Sequence, residues 1–247
     1  MKVSVITPTT GNPFLKECIE SVRNQTYKNI EHIVVVDGNE RWEKCDSILK
    51  ELSFPNGTTE HIFVLPYPTG TDRYNGHRIY GGTTYFANGD YHIWLDDDNV
   101  LEPDHIESLV KLVQQNDLHW AYSLRKIIDK DSNVLCLDDC ESLGKWASIL
   151  NPQDFFVDVN CYFVKKDVAV QLSPVWYRKF REPGQMEIDR AIANVLMNNN
   201  LKFDCTRDYT VKYRVGNTGL SVQADFFLRG NEAMMQRHNG NLPWKKQ

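Results

Sequence analysis

The sequence predicts an α/β fold in which a largely parallel sheet is flanked by helices. Strand and helix patterns alternate through the first half of the chain, as they do in βαβ units. Residues 33–36 form a continuous β-branched run, which is typical of a strand covered by helices on both faces. The connections between these elements are short, which favours right-handed crossovers between parallel strands.

The first strand and helix are marked by their end signals. An apolar run over residues 3–7 stops at Pro8, and Asn12 followed by Pro13 predicts an N-cap and a first helical position. Apolar residues then recur with helical spacing at Leu15, Cys18, Ile19 and Val22.

The later elements follow from similar patterns. In the first half, strands are predicted at 33–36, 62–65 and 91–95, and helices at 42–52 and after Pro103. In the second half, strands are predicted at 119–124, 134–137, 155–164 and 209–215, with a helix at 189–199.

Composition excludes several classes of protein. The net charge of -5 and the absence of a Lys or Arg run argue against a nucleic-acid partner. No apolar run reaches the roughly 18 residues of a membrane span, which leaves only peripheral membrane association open. The N-terminus has no cleavable signal pattern, and the 6 Cys lack zinc-site spacing, so we expect a cytoplasmic protein with reduced thiols.

Three polar features fall at predicted strand ends, where open α/β sheets bind ligands. They are the turn TPTTG at 7–11, the carboxylate Asp37, and the run Asp96, Asp97 and Asp98. Because side chains alternate along extended backbone, Asp96 and Asp98 are expected on one side and Asp97 on the other. Two carboxylates and a diphosphate would make a hard-oxygen site for Mg²⁺ or Mn²⁺. The alternative is a solvated acidic loop that caps the next helix.

Four segments, taken in order, resemble glycosyltransferase family 2, whose members transfer sugars from nucleotide donors with inversion. They are VSVITPT at 3–9, SVRNQTY at 21–27, IVVVDG at 33–38 and NGDYHIWLDDDN at 88–99. The similarity is close over roughly the first 115 residues and weaker beyond them.

The resemblance implies a GT-A fold, with a single Rossmann-like mixed sheet that is mostly parallel and flanked by helices. It implies one domain over residues 1–222, with a nucleotide-sugar-binding half at 1–99 and an acceptor-binding half at 100–222. Residues 223–247 are expected to form a C-terminal tail that packs back or serves an interface.

The resemblance also assigns roles to the strand-end residues. Thr7, Pro8 and Thr9 would line the nucleotide pocket, and Asp37 would contact the base; a turn carboxylate binding local amides is the alternative for Asp37. Asp96 would lie near the ribose or the metal, and Asp98 would be the main metal ligand. Asp97 is grouped with the donor-binding residues.

Inversion requires a base that takes the proton of the acceptor hydroxyl, and the resemblance places it in GQMEIDR at 184–190. Counting back from NLKF at 200–203 assigns the role to Asp189. Glu187 is the second candidate, because Ile188 replaces the acidic residue usual before the base. Simple capping of a helix is the alternative for both carboxylates.

Two departures from the family pattern leave contacts unassigned. Tyr80-Gly81 replaces the usual Arg-Asn, so Arg73, His77 and Arg78 become candidates for the pyrophosphate contact. The segment YRVGN at 213–217 lacks the His that often binds the metal, for which His238 is the alternative.

The sequence therefore predicts a metal-dependent enzyme that uses Mn²⁺ or Mg²⁺ and a nucleotide-sugar donor, most simply a UDP-sugar. The acceptor would be a hydroxyl of a saccharide or glycoconjugate, as in polysaccharide biosynthesis. A sugar-nucleotide pyrophosphorylase is a rival, although TPTTG is a poor match to its Gly-rich nucleotide loop. A non-catalytic glycan- or protein-binding module on the same scaffold is the other.

Overall fold

The fold is seen in a computed structural model that describes residues 1–52, 58–72, 74–178, 188–216 and 222–246. The strands are β1 Val3–Thr9, β2 Ile30–Val36, β3 Thr59–Val64, β4 Tyr91–Trp94, β5 Val100–Leu101, β6 Trp120–Ile128, β7 Val134–Leu137, β8 Tyr162–Lys165 and β9 Phe203–Arg214. The α-helices are α1 Leu15–Arg23, α2 Trp42–Lys50, α3 His77–Thr83, α4 His105–Asn116, α5 Lys166–Trp176, α6 Ile188–Asn198 and α7 Ala224–Arg237. Short 3₁₀ turns lie at Asn39–Arg41 and Val159–Cys161.

The nine strands of the described residues join one mixed sheet, in the order β3-β2-β1-β4-β8-β6-β9-β5, with β7 paired to β6. The ladders among β1, β2, β3 and β4 are parallel, as is the ladder between β6 and β9. Antiparallel ladders join β8 to β4 and β6, β7 to β6, and β5 to β9. The predicted mixed α/β sheet with flanking helices is confirmed.

The first-half strands inside the sheet, β1, β2 and β4, are buried, whereas β3 at the edge of the sheet is largely exposed. Every residue of β1 and β2 is buried, which agrees with the continuous runs in the sequence. The cysteines in the described residues are all free thiols. Among these residues, no helix is long and apolar enough to cross a bilayer.

Two local predictions were wrong, and side-chain hydrogen bonds explain both. Asn12 does not cap α1; its Oδ1 accepts from the Phe14 N–H at 3.0 Å, which makes a turn, and the helix begins at Leu15. Residues 155–164 are not one strand, because the Asp158 carboxylate accepts from the Asn160 N–H and starts the 3₁₀ turn.

Three helices have no counterpart among the sequence predictions. α3 contains the pair Gly81-Gly82 and α5 contains Pro174, and these residues conceal the helical pattern. α7 lies in the segment expected to be a tail, where it buries Phe227 and Met234.

Candidate active site

The site is built where three neighbouring parallel strands end. Along this edge, the Asp37 N–H donates to the Thr9 carbonyl at 2.9 Å, and the Leu95 N–H donates to the Ile6 carbonyl at 3.0 Å. Parallel pairing therefore brings the end of β1, Asp37 after β2 and the carboxylates after β4 to one edge of the sheet.

The polar side chains of β1 make internal contacts. Thr7 Oγ1 lies 3.0 Å from His32 Nε2, and the Thr9 hydroxyl donates to Asp97 Oδ2 at 2.5 Å. The backbone of Gly76 lies so close to Pro8 that an added Cβ would be 2.4 Å from Pro8 Cγ. Both threonines are buried, and their hydroxyls are occupied by these contacts.

Asp37 holds the loop that follows β3. Its Oδ1 accepts from the Thr69 N–H at 2.6 Å and from the Thr69 hydroxyl at 2.8 Å. Its Oδ2 accepts from the Gly70 N–H at 2.9 Å and from Arg41 Nη1 at 3.3 Å. These contacts are the ones expected if Asp37 is a turn carboxylate that binds local amides. Its contact with the nucleotide base stays a prediction.

Arg78 is the described arginine among the pyrophosphate candidates, since Arg73 lies outside the described residues. Its guanidinium carbon lies 3.5 Å from the centre of the Tyr74 ring, and its Nη1 donates to the Thr69 carbonyl at 3.2 Å. Arg78 is therefore placed beside the loop that Asp37 holds.

Asp96 is held by two neutral donors. The Tyr80 hydroxyl donates to its Oδ1 at 2.6 Å, and Asn160 Nδ2 donates to its Oδ2 at 2.9 Å. Loss of solvent raises the pKa of this carboxyl, although both hydrogen bonds favour the charged form. Tyr80, which departs from the family pattern, thus has a defined contact inside the site.

Asp97 points the other way, as the strand alternation predicts. It accepts from the Thr9 hydroxyl and from the N–H groups of Thr10 and Asn12, which fixes the turn between β1 and α1. Burial raises its pKa to about 6, against these hydrogen bonds. Asp97 therefore stabilises the turn from β1 to α1.

Arg214, a residue that the sequence did not indicate, binds the backbone of Asp98. Arg214 Nε donates to the Asp98 carbonyl at 2.9 Å, and the Arg214 N–H donates to Asn99 Oδ1 at 2.9 Å. A second nitrogen of Arg214 binds Glu17 at 2.5 Å. This buried arginine lies in the segment where the family pattern led us to look for a metal-binding His. His238 instead packs its ring on Trp244, 5.3 Å away.

The carboxylates at this turn suit a hard cation whose other ligands are phosphate oxygens of a bound substrate and water. Among the described residues, no group of three or more His, Cys, Asp or Glu side chains gathers around one point. Both oxygens of Asp96 accept hydrogen bonds from Tyr80 and Asn160, and the Asp98 carboxylate is the one that the family resemblance assigns as the main metal ligand. Mg²⁺ is commonly bound by one or two carboxylates together with phosphate oxygens and water.

Asp189 lies in the first turn of α6. Its Oδ1 is 3.6 Å from His77 Nε2. Burial raises the pKa of Tyr80, and the charges of nearby carboxylates, Asp96 foremost, raise it further. Glu187, the second candidate base, lies outside the described residues.

His77 and Trp176 form the wall beside Asp189. Their ring centres are 5.8 Å apart, and Trp176 also packs on Tyr80 at 5.4 Å and on Trp94 at 5.1 Å. Burial lowers the pKa of His77 to about 4, so the imidazole is neutral near pH 7. This aromatic group connects the base side of the site to the core.

A comparison with known families decides the identity. The profile described as "Glycosyl transferase family 2" matches residues 4–136, which is more than half of the chain. The chain belongs to glycosyltransferase family 2. The resemblance drawn from the four sequence segments is confirmed, and the protein is a glycosyltransferase.

Relatives of this family 2 glycosyltransferase are also named as glycosyltransferases. An uncharacterised glycosyltransferase of Methanocaldococcus jannaschii is 26% identical over 230 residues, which are 87% of this chain and 71% of that protein. The glucosyl-dolichyl phosphate glucuronosyltransferase of Haloferax volcanii is 34% identical over 119 residues, or 47% of this chain. That match spans 35% of the Haloferax protein.

Solved structures support the GT-A fold of this family 2 glycosyltransferase. The crystal structure of S. aureus TarS 1-349 in complex with UDP-GlcNAc superposes with a TM-score of 0.64 at 13% identity. The match covers 99% of this chain and 68% of the TarS chain. The expected fold is thereby confirmed over nearly the whole sequence.

Proposed function

We propose that this glycosyltransferase transfers a sugar from a UDP-sugar to a hydroxyl of a saccharide or glycoconjugate, with inversion and with Mn²⁺ or Mg²⁺. One observation carries the proposal: Asp96 binds the Tyr80 hydroxyl, Asp189 lies 3.6 Å from His77, and both Tyr80 and His77 pack on Trp176. In this proposal the strand ends with Asp96 and Asp98 form the donor side, and the first turn of α6 with Asp189 forms the base side. The TarS structure with UDP-GlcNAc supports a nucleotide-sugar donor for this fold.

The donor side binds and orients the nucleotide. The loop that Asp37 holds and the end of β1 would border the base and ribose, and Asp96, fixed by Tyr80 and Asn160, would accept from a donor hydroxyl. Arg78 would bind phosphate oxygens. A cation at Asp98 would neutralise the diphosphate and make it a better leaving group.

The base side removes a proton. Inversion requires the acceptor oxygen to approach the anomeric carbon opposite the departing diphosphate. Asp189 takes the proton of that hydroxyl as the new bond forms. His77 beside it is neutral near pH 7, so no imidazolium forms an ion pair with the Asp189 carboxylate. The packed wall of Trp176 limits access of water from this direction.

Release of UDP from a panel of UDP-sugars in Mn²⁺ tests the proposal, with wild type compared against Asp98→Ala. We expect release from one donor, lost in Asp98→Ala and retained in Glu43→Ala, which removes an exposed carboxylate of α2. Equal release by Asp98→Ala, or by wild type in EDTA, would overturn the metal assignment. Absence of both UDP release and calorimetric UDP binding in wild type would overturn the choice of nucleotide.

A further inference from the structure

A chain of hydrogen-bonded side chains begins at Asp96 and leads away from the donor side. Asn160 holds Asp96 twice: its Oδ1 accepts from the Asp96 N–H at 2.7 Å, and its Nδ2 donates to Asp96 Oδ2. The same Nδ2 donates to Asp158 Oδ1 at 2.8 Å. Because Asn160 is fully buried, movement of Asp96 is tied to movement of Asp158.

Arg125 of β6 continues the chain. Its side chain is 2% exposed and donates to Asp158 Oδ2 at 2.5 Å, to Glu141 Oε2 at 2.7 Å and to Asp138 Oδ2 at 2.8 Å. Asp138 also accepts from the N–H groups of residues 140–142, so the segment after β7 is fixed around this guanidinium. One buried cation thus joins three segments of the chain.

The far end of the chain is the residue next to the proposed base. Glu141 Oε1 accepts from Arg190 Nη2 at 3.1 Å, and the other terminal nitrogen of Arg190 binds Asp154. Arg190 follows Asp189 in the first turn of α6. Hydrogen bonds therefore run without a break from Asp96 to the turn that carries Asp189.

Such a network is a poor way to gain stability alone. Buried charges lose hydration, and well-packed apolar residues in their place are often neutral or stabilising. A half-satisfied network costs more than an apolar core, yet every group named here is paired. What the network does supply is fixed geometry between its two ends, because rigid forked contacts allow little displacement.

We propose that Asn160, Arg125, Glu141 and Arg190 are positioning residues that set the separation between Asp96 and Asp189. The roles of the two carboxylates rest on the function proposed above. The mechanical coupling between them does not depend on that function. In-line transfer needs the acceptor oxygen and the anomeric carbon in near-attack geometry, where an error of about 1 Å costs ~100-fold in rate. The network joins the two sides that must share this geometry.

Hydrogen exchange of the ligand-free protein tests the coupling. Arg190→Met changes a side chain that is 22% exposed and is the variant least prone to misfold. We expect exchange to rise at least about fivefold at the Leu95, Asp96 and Asn99 amides, which are at the opposite end of the network. Asn160→Ser should raise exchange reciprocally in the second turn of α6, at residues 192–196.

Arg23→Met is the matched control. Arg23 is 9% exposed and holds Glu60 through two bonds of 2.5 and 2.7 Å, so it is a comparably buried ion pair outside the network. It should lower stability without raising exchange at either end of the network. Exchange confined to α6 in Arg190→Met, or equal changes in Arg23→Met, would overturn the coupling.

Turnover then separates the coupling from the proposed function. With the UDP-sugar that supports UDP release, Asn160→Ser and Arg190→Met should each lower kcat about tenfold, and the double variant should fall less than about twofold further. A product of the two losses, about a hundredfold, would overturn the positioning role. If transfer survives in Asp189→Asn while exchange remains coupled, the base assignment fails and the network stands.

Discussion

The donor side and the base side of this site are held in place in different ways. On the donor side, Asp37 binds Thr69 and Gly70 in the loop after the adjacent strand, and Asp97 binds the turn after β1. On the base side, Asp189 lies on a helix whose first turn is fixed through Arg190, which binds Glu141 and Asp154 in the segment after β7 and not a neighbouring strand end.

This difference explains why short sequence motifs identify the residues of the donor side more readily than those of the base side. Parallel strands bring their carboxyl ends together automatically, so a few residues at each end are enough to build the donor side. The base side requires β6, the connection after β7 and α6 to meet around one buried arginine. Changes that separate the two sides therefore test the comparison directly.

The largest expected effect is on the base side alone. Asp189→Asn removes the group that takes the acceptor proton, and a general base contributes on the order of 10²–10⁴-fold. We predict that transfer falls by about 10³-fold while the affinity for UDP in Mn²⁺ stays within about twofold. Initial rates of UDP release and calorimetry on the same samples measure the two quantities.

Asp117→Asn is a suitable comparison, because the Asp117 side chain is 98% exposed and ends α4 far from the base turn. It should leave both quantities unchanged. If Asp189→Asn instead transferred at the wild-type rate, the base would lie elsewhere, and Glu187 would be the next residue to change. A parallel loss of UDP affinity would mean that the two sides are not separable.

Much of the donor side could be predicted from the sequence. The ends of β1, β2 and β4 depend on local patterns, as do the different directions of the Asp96 and Asp97 side chains, and the structure has the same arrangement. What could not be predicted is which donors occupy these carboxylates. The partners of Asp96 come from residues 80 and 160, and no local pattern connects them.

The second half was harder to predict for physical reasons. Its strands pair partly antiparallel, and its site residues depend on buried charge pairs between distant segments. Arg214 is an example: its side chain is fully buried and binds the Asp98 carbonyl. Nothing in the sequence around this arginine, at the polar end of a strand, indicates that burial. Burial of a charge is a property of the assembled fold.

A second prediction concerns a contact within the second half, between α4 and β9. His105 of α4 is fully buried, its Nδ1 lies 2.8 Å from Thr210 Oγ1 of β9, and burial lowers its pKa to about 3. The unfolded chain binds a proton at about pH 6.5, so folding stability is present above that pH and is lost as the pH falls toward 3. His105→Asn should flatten the pH dependence of unfolding by about 2 kcal/mol between pH 7.5 and 5.

Chemical denaturation at several pH values gives this number. Asn keeps a polar atom near the position of Nδ1 and does not titrate. His61→Asn, which changes an exposed residue of β3, should leave the curve as in wild type. An unchanged pH dependence in His105→Asn would mean that His105 accepts a proton without unfolding, and that the α4–β9 contact is looser than the structure shows.

The smallest effect is expected within the donor side, where Tyr80 replaces a family residue. Tyr80→Phe removes one hydrogen bond to Asp96 and leaves the ring in its aromatic group, so we predict about tenfold weaker UDP binding in Mn²⁺, or about 1.4 kcal/mol. Tyr162→Phe is matched to it: that phenol is equally buried, and its hydroxyl has no hydrogen-bond partner among the described residues. Titration calorimetry should show no loss for Tyr162→Phe. Equal affinities for the two variants would mean that Asn160 alone orients Asp96, and that the donor side depends on the same long-range network as the base side.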